Sequence, residues 1–206
     1  MYQVADNVWV LRYPLRLLGV NIGRTVTIVR LNTGRLIIHS TAPFTAADVA
    51  AIRSLGEPAW MLDVTAFHDS FVDEGRRAFP SVSYFVPPNF ARSTALHAES
   101  LDHTPAEWAG ELEVLRLGGL PRIQEHAVFH RPSRTLIVAD LLFNFGEGAS
   151  GWTKFFARHV MRLKDFVGMS PFFRMMIRDR TAFDASIRKI LEWEFDRIIV
   201  GHGEII

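Results

Sequence analysis

The chain has no cysteine among its 206 residues. That excludes disulfides, a thiolate nucleophile and every cysteine-ligated zinc site. Net charge is scarce too, +1 with histidine neutral, so nothing in the bulk electrostatics favours nucleic acid and no nucleic-acid partner is expected. No apolar run approaches the roughly 20 residues of a membrane span, so no transmembrane segment is expected. The opening MYQVADNVWVL carries Asp6 and lacks a basic start followed by a long apolar core. No signal peptide is therefore expected, and the chain reads as cytoplasmic. There is no G-x-S-x-G elbow, no internal repeat and no low-complexity tract. What remains is a globular composition, 49% hydrophobic and 22% charged. It suffices for one domain over residues 1–206 with a sizeable core. Eight histidines keep metal chemistry open.

Local patterns give an order of elements. Val8–Arg12, Thr25–Leu31 and Leu36–Ser40 read as strands, the last two joined by the turn Asn32-Thr33-Gly34. Thr45–Leu55 reads as a helix, with Thr45 as N-cap, Asp48 three residues on and Gly56 as the stop. Trp60–Thr65 is a strand and Ser70–Phe79 a helix capped by Ser70 and closed by Pro80. Val82–Val86 is a strand stopped by Pro87-Pro88. Residues 91–110 are polar and irregular. Glu111–Leu117, Glu125–Phe129 and Thr135–Asp140 read as strands, and Gly146–Gly151 as a glycine-rich link. Trp152–Leu163 reads as a helix with Trp152, Phe155, Phe156, Val160 and Leu163 on one buried face. Thr181–Phe195 is a helix capped by Thr181, burying Phe183, Ile187, Ile190 and Leu191. Arg197–Val200 is the last strand.

Three of these strands end in chemistry. TLIVAD stops at Asp140, WMLDVT runs into Phe67-His68-Asp69, and RIIV runs into Gly201-His202-Gly203. Carboxylates and imidazoles at strand ends sit where sheet-based folds place their sites. The sequence TAFHDSF, the later SRTLIVADLLF and the final RIIVGHGEII resemble, in this order, the metallo-β-lactamase-fold superfamily, an uncharacterised branch of it in particular. The resemblance implies an α/β (α+β) chain folded as a four-layer αββα sandwich, with a helical insertion at about 151–195.

It also implies a site. The superfamily's HxHxDH motif sets Ala66 at the first histidine, His68 at the second, Ser70 at the aspartate and Phe71 at the last histidine. Asp140 matches the metal-bridging aspartate and His202 the final histidine. The remaining ligand histidine falls near Pro121, where there is none. Three ligand positions are kept and four are lost, which disfavours a pair of metals. The reduced set His68, Asp140 and His202 suits at most one ion of zinc, iron or manganese, with Asp69, Glu125 or His39 as auxiliary ligands. The expected activity is metal-dependent hydrolysis of an ester- or phosphoester-like bond in a small-molecule substrate, Asp140 holding the metal and orienting water. The alternative is a non-catalytic binding or scaffold protein that keeps the fold and holds no metal. It is favoured by Phe71, whose ring cannot coordinate.

Other residues read as structural. Ser70 is a cap rather than a nucleophile. His130, beside a turn, is expected to be solvated, and His159 to be a hydrogen-bonded core residue. Phe166–Ile177, rich in Met and Phe among basic residues, is expected to be a buried helix over the sheet. A homodimer through 152–180 is the second reading of that region.

Overall fold

The computed structural model describes residues 1–17, 19–91, 93–146, 151–163 and 165–206. Among these, one sheet has seven strands: β1 (Tyr2–Ala5), β2 (Val8–Tyr13), β3 (Arg24–Arg30), β4 (Arg35–His39), β5 (Glu57–Leu62), β6 (Ser83–Val86) and β7 (Glu99–Ser100), neighbours in that order. The first four run antiparallel, and β4 to β7 run parallel. The second sheet has β8 (Leu112–Arg116), β9 (His126–His130), β10 (Thr135–Ile137) and β11 (Arg197–Ile199), the last pair parallel with Leu136 opposite Ile198.

Side-chain alternation along β3 shows how the layers form. Val26 and Ile28 face outward onto α1 (Ala46–Leu55) and α2 (Val72–Ala78), packing with Ile52, Val72 and Phe79. Val29 faces inward, onto a core shared with Ile137 and Ile199 of the second sheet. That sheet's far face carries Leu136 and Val138, covered by Phe173, Phe183 and Ile190. These belong to α4 (Pro171–Met176) and α5 (Arg180–Leu191); the short α3 (Gly151–Phe155) precedes both. The layers run helix, sheet, sheet, helix, as the sequence resemblance implies.

Helix starts show where local signals succeed. At α1 the Thr45 hydroxyl accepts from the Asp48 N–H, and the Asp48 carboxylate accepts from the Thr45 N–H, a complete capping box. Ser70 does not cap α2. The chain stays in a turn until Phe71, whose side chain makes no capping bond. α5 starts at Asp179, whose carboxylate accepts from the Ala182 N–H, so Asp179 takes the place expected of Thr181. Leu191 is exposed, and Ser186 joins Phe183 and Ile190 on the buried stripe.

The region after residue 150 departs furthest from expectation. Gly146 and Gly151 are described, and the link between them lies outside the described residues. α3 passes into a π-helical turn, Phe156–Val160. Its wider spacing rotates the buried face away from a 3.6-residue stripe. Phe156, Ala157, Met161 and Leu163 go inward, while Trp152, Phe155 and Val160 stay exposed. His159 is exposed too, against the Phe155 ring. Phe166–Ile177 is a short strand, Val167–Gly168, paired with Phe143–Asn144, followed by α4 with Pro171 in its first turn. Within it Phe173 is buried, and Phe172 and Met175 are exposed. His130, expected to be solvated, is 1% exposed, because β9 is an inner strand and its ring bonds Ser133 at 2.7 Å.

Candidate metal centre

His68, Asp140 and His202 leave different strand ends and meet at one end of the sandwich. His68 lies in the Thr65–Phe71 turn beyond β5, and Asp140 in the turn beyond β10. His202 lies beyond β11. The two sheets are tied at this end, since the Thr25 N–H donates to the Gly201 carbonyl at 2.9 Å.

The three facing atoms form a nearly equilateral triangle. His68 Nε2 and His202 Nε2 are 3.4 Å apart. Asp140 Oδ1 lies 3.6 Å from the first and 3.3 Å from the second. A tetrahedral ion with bonds of about 2.0–2.1 Å has ligands roughly 3.3–3.4 Å apart, so the triangle matches one face of such a polyhedron.

The far side of each ring fixes its tautomer. His202 Nδ1 lies 2.6 Å from the Gly23 carbonyl, which can only accept, so Nδ1 carries the hydrogen and Nε2 of the neutral ring is bare. Its face stacks on Phe143, with centroids 5.3 Å apart and planes 12° apart. His68 Nδ1 lies 3.1 Å from Ser40 Oγ. The one hydroxyl hydrogen of Ser40 goes to Asp63, and Arg24 Nη1 donates to the same Oγ at 3.2 Å. The hydroxyl therefore accepts from His68 Nδ1–H, leaving that Nε2 bare as well. Burial, with the Arg24 charge second, pushes His68 down to about 3, so the ring is neutral at ordinary pH. Burial alone would raise Asp140, but the facing histidines outweigh it and hold the carboxyl well below its usual range. Its Oδ2 accepts from Thr65 Oγ1 at 3.3 Å. With both rings neutral, two lone pairs and a carboxylate converge with no hydrogen between them.

The auxiliary candidates stand apart from this triangle. Asp69 is exposed. Glu125 is fully buried and accepts the backbone N–H groups of Ala139, Asp140 and Leu141 at 2.9, 3.1 and 3.0 Å. Its carboxylate fills the concavity of that turn and sets the direction of Asp140. Burial and then the Asp140 charge push Glu125 up to about 8, against the pull of the three N–H donors. His39 is buried on the inner face, and neither ring nitrogen has a partner among the described residues. Burial pushes it down to about 4. Ser70 opens onto the cavity beside the triangle. Asp102 and His126 bond each other at 3.1 Å, away from the site.

Three residues not singled out from the sequence complete the surroundings. Arg24, at the start of β3, is 1% exposed, and its guanidinium lies over the Phe71 ring at 5.9 Å. Ser40 has φ +82°, a left-handed conformation costly for a non-glycine residue, which turns its hydroxyl toward His68. Asp63 accepts from Tyr84 Oη at 2.7 Å and from the Thr41 N–H at 3.1 Å. Burial raises its carboxyl despite the nearby Arg24 charge. An acid inside the apolar run WMLDV was the available signal for Asp63. An arginine opening a strand gives none.

A cavity of about 560 Å³ opens over the triangle. His68, Asp140 and His202 form part of its lining, and most of the rest is apolar.

No protein-family model and no curated protein matches the chain. Solved structures do. It is similar to DIM-1 metallo-β-lactamase exposed to ceftazidime, at 17% identity and TM-score 0.66, over 99% of this chain and 89% of that one. It is similar to TMB-1 at 18% identity and TM-score 0.63, over 100% and 89%. It is also similar to FIM-1 metallo-β-lactamase from Pseudomonas aeruginosa in a mono-zinc form, at 13% identity and TM-score 0.62, over 98% and 86%. At such identities the likeness is one of architecture: the chain has the metallo-β-lactamase fold.

Proposed function

We propose that the chain is a metal-dependent hydrolase with a reduced, mononuclear site, acting on an ester- or phosphoester-like bond of a small molecule. One observation carries this reading. His68 Nε2, His202 Nε2 and Asp140 Oδ1 face one another at 3.3–3.6 Å, and with both rings neutral they have no hydrogen to share. A cation relieves that arrangement, and two imidazoles with a carboxylate suit zinc, iron or manganese. A mono-zinc form of FIM-1 supports single-ion occupancy within this architecture. Phe71 and Arg24 support it from the other side. They occupy the region where the resemblance puts further ligands, and neither can be one.

When bound, the ion supplies Lewis-acid polarisation of the substrate and a water of lowered pKa. The chain's own residues do the rest. Glu125 holds the Asp140 turn and so aims its carboxylate. The Gly23 carbonyl and Ser40 hold each imidazole with its lone pair inward. The phenylalanine-rich walls keep bulk water from the reacting bond. No helix among the described residues is long and apolar enough to cross a membrane. A cytoplasmic location, and a homodimer through the exposed Trp152, Phe155 and Met175 of the 152–180 region, belong to the same proposal.

Elemental analysis tests it, using untagged protein purified without chelators beside His202→Ala. The expected result is about one equivalent of transition metal, lost in the variant. Esters and phosphoesters are then screened with the loaded protein. Absence of metal from both samples after adding zinc or manganese would sink the reading and leave the binding or scaffold alternative.

A further inference from the structure

Arg24 is a permanently charged group sealed at the floor of the cavity. It is 1% exposed, its Nη1 donates to Ser40, and its Nε has no partner among the described residues. The acids whose charge it feels are Asp63, Asp140 and Asp69. Asp63 is occupied by Tyr84, Ser40 and the Thr41 N–H. Asp140 belongs to the triangle, and Asp69 is exposed. The walls are of another kind. Phe67, Phe143, Phe156, Phe172 and Phe173 line the cavity, and Phe67 meets Phe172 across the mouth with ring centroids 6.1 Å apart. Among the described lining residues the charged side chains are Arg16, Arg24 and Asp140. Two cations against one carboxylate leave this lining net positive even without an ion. A charge in such low-dielectric surroundings acts over a longer range than one in water.

We propose that this cavity binds an amphipathic oxyanion, a carboxylate or phosphate carrying an apolar chain or ring. Its anionic end lies in the field of Arg24 and its apolar body along the phenylalanine walls. Resting on the hydrolase reading above, the substrate is an ester of this class, with its scissile bond over the His68–Asp140–His202 triangle. About 560 Å³ accommodates a body of eight to ten carbons or a bicyclic ring, within the usual size range of ligand cavities. Arg24 is a positioning and selectivity residue here, since it acts through its charge on the bound anion.

Titration calorimetry tests the preference without relying on turnover. Butanoate, octanoate, octyl phosphate, octanol and octylamine are titrated into wild-type protein, both chelator-treated and zinc-loaded, with metal content measured on each sample. The expected result in chelator-treated protein is octanoate and octyl phosphate binding about tenfold or more tighter than octanol or octylamine. Affinity rises about fourfold per methylene from butanoate to octanoate. The two anions together show which head group is preferred. Arg24→Met removes the preference for anions. Phe172→Ser, a neutral truncation at a half-exposed position, weakens octanoate about tenfold and leaves butanoate little changed. If Arg24→Met does not fold, the wild-type series and Phe172→Ser still decide. Octanol binding as tightly as octanoate, or a flat chain-length series, overturns the proposal. So does anion binding seen only with zinc, which would assign the anion to the ion and not to Arg24. Failure of the metal reading appears separately, in the metal content.

Discussion

Glu125 shows how a residue can govern a site without touching its centre. Its two oxygens receive three successive N–H groups, so the turn carrying Asp140 is built around a buried carboxyl group. Glu125→Gln puts an NH₂ group against at least one of those donors and rotates the turn. The expected outcome is a folded protein whose zinc affinity, measured by chelator competition, drops about tenfold to a hundredfold, as for other groups that orient ligands. Unchanged affinity would show that Asp140 is held by Thr65 and the histidines alone. The same residue marks where sequence reading stops. His68, Asp140 and His202 are legible because each follows an apolar strand, and strand ends can be counted. Glu125 also sits beside a strand and so looks like a ligand. Whether its oxygens turn toward an ion or toward a neighbouring turn depends on packing that spacing does not encode. Arg24 is illegible for a related reason. Its burial comes from the loop of His68 and Phe71, more than forty residues away in the chain.

At the scale of elements, the turn after β11 does most to place a ligand. Gly203 has φ +109°, and a Cβ built there would lie 1.8 Å from the Asn144 carbonyl oxygen. The Asn144 N–H also donates to the His202 carbonyl, and the Glu204 N–H to the Asn144 carbonyl, so strand and turn are laced together. Gly203→Ala must move one of them. The expected cost is about 3 kcal/mol, seen as a melting temperature lowered by more than about 6 °C, together with loss of metal. A melting point within a degree of wild type would mean that the turn is looser than its contacts imply. The elements predicted well are those whose ends carry their own chemistry, such as α1 with its reciprocal Thr45–Asp48 bonds. Where tertiary contacts decide, local rules fail. Ser70 is a good cap by type, yet the chain there is committed to presenting His68. Of the five apolar residues expected on one face from Trp152 to Leu163, only Phe156 and Leu163 go inward, because the helix passes into a π-helical turn.

For the whole molecule, buried imidazoles dominate the response to pH. Burial pushes His39 and His130 down to about 4 and His68 to about 3. Unfolded histidines titrate near 6.5, so below that pH the unfolded chain binds protons that the folded chain refuses. The stability due to these rings is fully present above about pH 6.5 and is lost as the pH falls toward 4. The loss is about 1.4 kcal/mol per pH unit for each ring. Glu125 acts with the opposite sign. Pushed up to about 8, it keeps its proton in the fold at pH values where the unfolded chain has released it, so its contribution declines as the pH rises from about 4.5 to 8. Asp63, raised by burial, acts with the sign of Glu125, and His126, lowered by burial, with that of the other rings. The four rings outweigh the two acids, and urea midpoints of metal-free protein are expected to climb from pH 4.5 to about 6.5 and then sag toward pH 8. A flat profile over the acid arm would show that the rings are hydrated in solution.

The bond from His202 Nδ1 to the Gly23 carbonyl has a consequence for the order of assembly. It spans 179 positions, and the triangle's other members lie at 68 and 140. The first sheet alone owns one ligand, and the second owns the other two but lacks the carbonyl that orients His202. A chain with either half unformed therefore offers no complete set of donors. On the proposed metal-binding reading, loading with an ion would then be a checkpoint on maturation. It records that the two halves have docked, and it fastens them together only after they have found each other.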